Sequence, residues 1–263
     1  MAGKEENLQL PRILCLHGGG TNARIFKAQC RMIERALKQH FRFAYAEAPY
    51  LCEPGPDVVS VYADYGPFKR WLRWLPEHKE LDNQTAINDI TKQITTAMRE
   101  DDQAGASGPW VGLLGFSQGA KLAASLLFQH QKRVERLGEA GAGSTWRFAV
   151  LLAGRAPIVS LDPETFRSSM LADASQIGLP GAPDLVEAAS DEHILKLPTI
   201  HVHGLYDPSL HLHRDLMDNY CDGDSVRVLE WDGGHRVPLK ATDVNPLVEY
   251  ILEIADDTGS LVH

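Results

Sequence analysis

One pentapeptide, Gly115-Phe116-Ser117-Gln118-Gly119, limits how this chain can fold more than any other stretch. It directly follows the apolar run Trp110-Val111-Gly112-Leu113-Leu114. It directly precedes Ala120-Lys121-Leu122-Ala123-Ala124-Ser125-Leu126-Leu127. A strand, a glycine-flanked serine and a helix opening in that order describe a nucleophile elbow, a turn so sharp that the chain passes close to itself on both sides. Side chains at 115 and 119 would collide there, which is the reason for glycine at both. The serine hydroxyl would then project at the carboxyl end of a sheet, above a helix N-terminus with free N–H groups. The bare Gly-x-Ser-x-Gly pattern also arises in loops, and the flanking strand and helix are what separate the two readings.

The rest of the chain supplies a fold for that turn. Ile13–Leu16 reads as a short strand ending at His17-Gly18-Gly19-Gly20, and Phe26, Cys30, Ile33 and Leu37 recur at helical spacing over about 23–39. A second strand is expected over 41–46. The segment 50–83 holds no clean period, a helix follows over about 84–99, and Ala104–Pro109 breaks it. After the elbow strand and its helix, which the pattern carries to about Gln131, comes a small-residue loop at 138–144. A strand over 148–153 leads into a second irregular excursion, 154–197, with short helices expected near 163–173 and 184–190. Strand 199–203, a helix near 210–220, strand 226–231 and a helix over about 244–255 complete the pattern. Strands of nearly continuous apolar character alternating with helices predict a mostly parallel sheet covered by helices on both faces. With no internal repeat and no long linker, one α/β domain over 1–263 is expected, its core at about 11–255 and its irregular excursions lying over the sheet.

Bulk properties narrow the partners. Hydrophobic residues make up 44% and charged ones 23% of the 263 residues, enough for a sizeable core. The net charge of -9 argues against nucleic acid or an anionic membrane surface as partner. No apolar run is long enough to span a bilayer, and the polar start Met1–Pro11 is unlike a secretory signal. The four cysteines are widely spaced, so thiols in a reducing, cytoplasmic setting are expected rather than zinc or disulfides.

A serine hydroxyl needs a base to take its proton and a third group to orient that base. Asp207, in Gly204-Leu205-Tyr206-Asp207-Pro208, follows the strand at 199–203. His235, in Trp231-Asp232-Gly233-Gly234-His235, follows the strand at 226–231. Ser117, Asp207 and His235 thus fall at three strand ends in the chain order Ser, acid, His. Asp207 before Pro208 could simply be a turn residue, and Asp232 or Asp191 could act as the acid instead. Asp232 is close to His235 along the chain, too close to meet the far ring nitrogen comfortably, so Asp207 is favoured. The glycine run offers backbone N–H donors to an oxyanion, Gly19 first and Gly20 second, together with the N–H of Gln118. A phosphate cradle is disfavoured, because the spacing matches neither phosphate-loop pattern. The pairs His201/His203 and His211/His213 could suggest metal, but no carboxylate or cysteine obviously completes a site; neither metal nor cofactor is expected. Tyr50, Tyr62, Tyr65, Phe68, Trp71 and Trp74 crowd the first excursion, either as the wall of an apolar acyl pocket or as packing between helix and sheet.

With Leu14-Cys15-Leu16-His17-Gly18, Gly115–Gly119, His203-Gly204-Leu205-Tyr206-Asp207-Pro208 and Gly233-Gly234-His235 on the page, the chain resembles the FSH family of serine hydrolases of α/β-hydrolase fold. Within it, the chain is similar to fungal thioesterases encoded beside polyketide synthases, those of the lovastatin and citrinin pathways among them. The resemblance runs from Pro11 to about Ala255. Many relatives carry a bulkier residue at the position of Gly19 or Gly20. The resemblance implies Ser117, Asp207 and His235 as a triad, and as substrate an acyl thioester on a polyketide synthase acyl-carrier domain or a released ester. Lys69, Arg70 and Arg73 would be the cations available to such an acidic carrier.

Overall fold

The computed structural model describes residues 6–55, 58–176 and 191–261. In chain order the strands are β1 Arg12–Leu16, β2 Arg42–Ala46, β3 Tyr50–Leu51, β4 Lys69–Arg70, β5 Trp110–Phe116, β6 Phe148–Leu152, β7 Val159–Ser160, β8 Ala172–Asp173, β9 Thr199–Gly204 and β10 Val226–Trp231. The helices are α1 Ala23–Gln29, α2 Arg31–Leu37, α3 Val59–Tyr62, α4 Asn83–Gln103, α5 Gln118–Leu137, α6 Leu210–Tyr220 and α7 Ala241–Asp257. Six strands form one sheet in the order β10-β9-β6-β5-β1-β2, and every neighbouring pair in it is parallel. The pairs β3/β4 and β7/β8 are two-residue ribbons outside it, one in each excursion.

Alternation along the strands sends side chains to opposite faces, and each face has its own core. Leu14, Leu113 and Leu151 pack with Ile87, Ile90 and Ile94 of α4 and Leu122 and Leu126 of α5. Ile13, Cys15, Val150 and Ile200 pack with Phe26 of α1, Ile33 and Leu37 of α2, and Leu247 and Ile251 of α7. The sheet is therefore covered on both sides, as the unbroken apolar strands predict.

Three helices depart from the expectation. The helix expected over 23–39 is two, divided at Cys30, whose backbone (φ -82°, ψ 1°) leaves helical geometry. The hydrogen bonds Cys30 N–H to Phe26 O and Glu34 N–H to Cys30 O continue across it, so the chain bends and keeps Phe26, Ile33 and Leu37 on one face. The helix α4 runs past 99 to Gln103, where Asp101 accepts from Arg12 and Arg42 at the starts of β1 and β2. The elbow helix runs past Gln131 and stops at Gly138, whose φ of +74° suits glycine.

No helix forms over 163–173. The Asp162 carboxylate instead accepts from the Thr165 amide (3.2 Å) and hydroxyl (2.7 Å), and it pairs with Arg133 of α5. Side chains that satisfy the backbone locally compete with a helix, and here the competitor is also anchored from across the fold. The helix expected near 184–190 lies outside the described residues.

Candidate active site

The elbow forms as its sequence requires. Ser117 connects β5 to α5 with φ 53° and ψ -113°, a conformation few non-glycine residues adopt. Its N–H donates to Leu152 O at 2.8 Å, which ties the turn to the neighbouring strand β6. A Cβ at Gly115 would stand 2.3 Å from Gly119 O, and one at Gly119 would stand 2.0 Å from Leu16 O. Neither oxygen belongs to a side chain that could move aside, so both glycines are obligatory.

The three polar strand ends meet. His235 Nε2 lies 3.0 Å from Ser117 Oγ, and His235 Nδ1 lies 2.6 Å from Asp207 Oδ2. The other oxygen, Asp207 Oδ1, accepts from the Ser209 N–H at 2.8 Å. Burial alone would raise the Asp207 pKa, but the bonds from His235 and Ser209 outweigh it and bring the carboxyl down to about 2. Asp207 is therefore an acceptor at neutral pH. It holds the Nδ1 proton and leaves Nε2 free to face the serine. Asp232 and Asp191 are both exposed and take no part.

The N–H of Gly20 donates to Lys69 O at 2.9 Å, so it is already engaged. The amides of Gly19 and Gln118 have no partner among the described residues, which favours that pair over Gly20 as oxyanion donors. Gly19 is covered by an indole: a Cβ there would sit 2.7 Å from the Trp74 ring. Gly20 has φ +73° and its Cβ position is 2.3 Å from the Gly55 nitrogen.

Sequence reasoning missed what fastens this loop. The Gln118 side chain accepts from the amides of Trp71 (2.6 Å) and Leu72 (3.0 Å) and donates to Leu72 O (3.0 Å), as a strand would. Trp71 is fully buried, with Nε1 donating to His17 O at 2.9 Å. Of the six aromatics in that segment, Trp71 is thus packing, Tyr50 is held by Asp89, and Trp74 reaches the glycine loop. A residue of the elbow motif binds the aromatic segment, and no periodicity signals that. The cations there are not an open patch: Arg70 is 3% exposed, and Arg73 is paired with Glu80.

The histidine pairs divide differently from their spacing. His211 is exposed while His201, His203 and His213 are buried, and their rings form a row with His235, each 5.9 Å from the next. Burial pushes His201 and His213 down to about 3, so both are neutral. Among the described residues neither ring nitrogen of His213 has a hydrogen-bond partner, although Nε2 is 3.7 Å from Asp207 Oδ2. Asp207, His213 and His235 have donor atoms within 4.8 Å of one another. Nδ1 of His235 is nonetheless at hydrogen-bond length from Asp207, which is the geometry of an oriented imidazole rather than of ligation. Among the described residues, no helix is long and apolar enough to cross a membrane.

A covered parallel sheet with serine, imidazole and carboxylate in series at its carboxyl edge defines the class of α/β-hydrolase proteins. A family model described as "Serine hydrolase (FSH1)" matches residues 7–247, and the chain belongs to this family of serine hydrolases. The chain is 53% identical over 257 residues to "Esterase GME11355" of Pestalotiopsis microspora, covering 98% of this chain and 96% of that one. It is 54% identical over 250 residues to "Probable esterase tazC" of Aspergillus terreus, covering 95% and 94%. To "Esterase citA" of Monascus ruber it is 51% identical over 256 residues, covering 97% and 96%. Among solved structures a Bacillus cereus carboxylesterase superposes with a TM-score of 0.51 at 18% identity, covering 95% of this chain and 91% of that one. That likeness speaks to the fold.

Proposed function

We propose that this chain hydrolyses esters and thioesters of largely apolar acids through an acyl-enzyme on Ser117. His235 takes the serine proton as Oγ attacks the carbonyl and returns it to the leaving group. Asp207 holds the imidazole tautomer throughout. The amides of Gly19 and Gln118 stabilise the oxyanion, and water then releases the acid. The continuous contact Ser117–His235–Asp207, at 3.0 and 2.6 Å on a serine with φ 53°, carries this reading. The esterase names of relatives that match nearly the whole chain support ester cleavage. The finer reading is release of a polyketide chain from a synthase acyl-carrier domain. It rests on the family resemblance and on the shared acyl chemistry of thioesters and esters.

The test is turnover of p-nitrophenyl esters by wild type and Ser117→Ala. Loss of the nucleophile should lower kcat by about 10⁶. Comparable rates from the two proteins would exclude the mechanism. Acyl-carrier thioesters compared with simple esters of equal chain length then test the finer reading. It predicts a higher kcat/KM for the carrier-bound acyl group, and a preference for short simple esters would end it.

A further inference from the structure

Gln118 enters the site twice. Its backbone N–H is one of the two oxyanion donors proposed above, and its carboxamide reaches a segment that grips the loop of the other. Oε1 accepts from the amides of Trp71 at 2.6 Å and Leu72 at 3.0 Å, while Nε2 donates to Leu72 O at 3.0 Å. An acceptor and a donor on one planar group are both used, so neither a carboxylate nor an apolar side chain reproduces the contact.

The anchored segment holds Gly19 from both directions along the chain. Two residues before it, His17 O accepts from Trp71 Nε1 at 2.9 Å. Just after it, Gly20 N–H donates to Lys69 O at 2.9 Å, and Thr21 O accepts from Lys69 N–H at 2.7 Å. The Trp74 ring closes over Gly19 itself. Pairing of β1 with β5, Leu16 opposite Gly115, fixes the root of the loop. From that root outward, the hydrogen-bonded path from the Gly19 loop back to the elbow runs through residues 69–72 and closes on the Gln118 side chain. Oxyanion donors act over a narrow range, about 2.7–3.1 Å from the developing charge, so their separation must be held closely.

We propose that the Gln118 side chain is the positioning residue of the oxyanion hole. By bonding the 69–72 segment to the elbow, it fixes the separation of the Gly19 and Gln118 donors. One residue thus supplies a donor from its backbone and places the second donor with its side chain. Any residue but proline at 118 keeps the backbone N–H, so the two roles can be separated by substitution. This inference rests on the serine-hydrolase reading above and adds to it the group that sets the donor geometry.

The experiment measures inhibition of p-nitrophenyl butyrate turnover by hexyl trifluoromethyl ketone and by hexyl trifluoromethyl carbinol. With the ketone, the Oγ–C bond forms at Ser117, the serine proton passes to His235, and the carbonyl electron pair becomes the oxyanion. The carbinol has no carbonyl and reports binding of the same chain without that charge. The full-length chain is used as wild type, Gln118→Met, Trp71→Phe and the double variant. The readout is the ratio of the two inhibition constants within each protein, which is independent of the fraction folded. Gln118→Met should weaken the ketone about 10²-fold and leave the carbinol within about threefold. Trp71→Phe, which cuts the next link, should weaken the ketone about tenfold. The double variant should match Gln118→Met, because links of one chain do not add. A ratio in Gln118→Met within about threefold of wild type, equal weakening of both inhibitors, or a double variant showing the product of the single losses would each overturn the proposal. Ester turnover that survives Ser117→Ala would instead overturn the underlying mechanism, so the two failures are distinguishable.

Discussion

The two flanks of Ser117 are built on different principles. On one side lies the glycine loop, where shape decides everything: the Trp74 indole covers Gly19, and the Gly55 backbone fills the place a side chain would take at Gly20. On the other side a single carboxylate has an imidazole at 2.6 Å and another at 3.7 Å, and there burial and protonation decide. His235 has a quarter of its side chain exposed and is oriented by Asp207, whereas His213 is wholly buried and kept neutral without a partner. A side chain at Gly20 would meet backbone, and one at Gly19 would meet the Trp74 ring. Residues of the second flank are chemically alike and differ only in surroundings.

The sharpest way to break this contrast is Asp207→Asn, which preserves shape and removes charge. The amide can no longer hold the Nδ1–H tautomer, and kcat for ester hydrolysis should fall by about 10⁴ with KM little changed. A loss below tenfold would mean that position, not charge, is what the carboxylate provides. The converse test on the other flank is Gly19→Ala, which adds a methyl group and no charge. The new Cβ must displace the Trp74 ring, and a displaced donor loop should lower kcat about 10²-fold. The double variant Gly19→Ala/Trp74→Leu should recover most of that loss. Absence of recovery would show that the indole is not what the glycine accommodates.

The same division explains what could be read from the sequence. Shape-coded features were legible: the glycines at 115 and 119 and the strand-turn-helix order located Ser117, and the ends of the strands at 199 and 226 located Asp207 and His235. The parallel sheet was legible because its inner strands β1, β5 and β6 are nearly continuous in apolar residues and buried along their whole length. Features decided by long-range contacts were not. The turn at Asp162 depends on Arg133 in another element, and the break at Cys30 depends on three side chains reaching one sheet face. The Gln118 clamp needs backbone groups 46 and 47 residues away. Nothing in the letters separates His213, buried in the row, from His211, two residues earlier and exposed.

The smallest effect on rate should come from His213→Phe, and its value lies in the pH profile. His201 and His213 stay neutral down to about 3 when folded, whereas an unfolded histidine protonates near 6.5. Between those limits the unfolded chain binds more protons, so stability is full above about pH 6.5 and is lost as pH falls toward 3. The two histidines together give a slope of about 2.7 kcal/mol per pH unit in that window, and one alone gives half of it. Urea unfolding of His213→Phe from pH 7 to 4 should therefore show a flatter decline by about 1.4 kcal/mol per unit, with kcat far closer to wild type than in Asp207→Asn. An unchanged acid slope would mean that His213 is charged in the folded protein and bonded to Asp207, and the two flanks of the serine would then differ less than their geometry says.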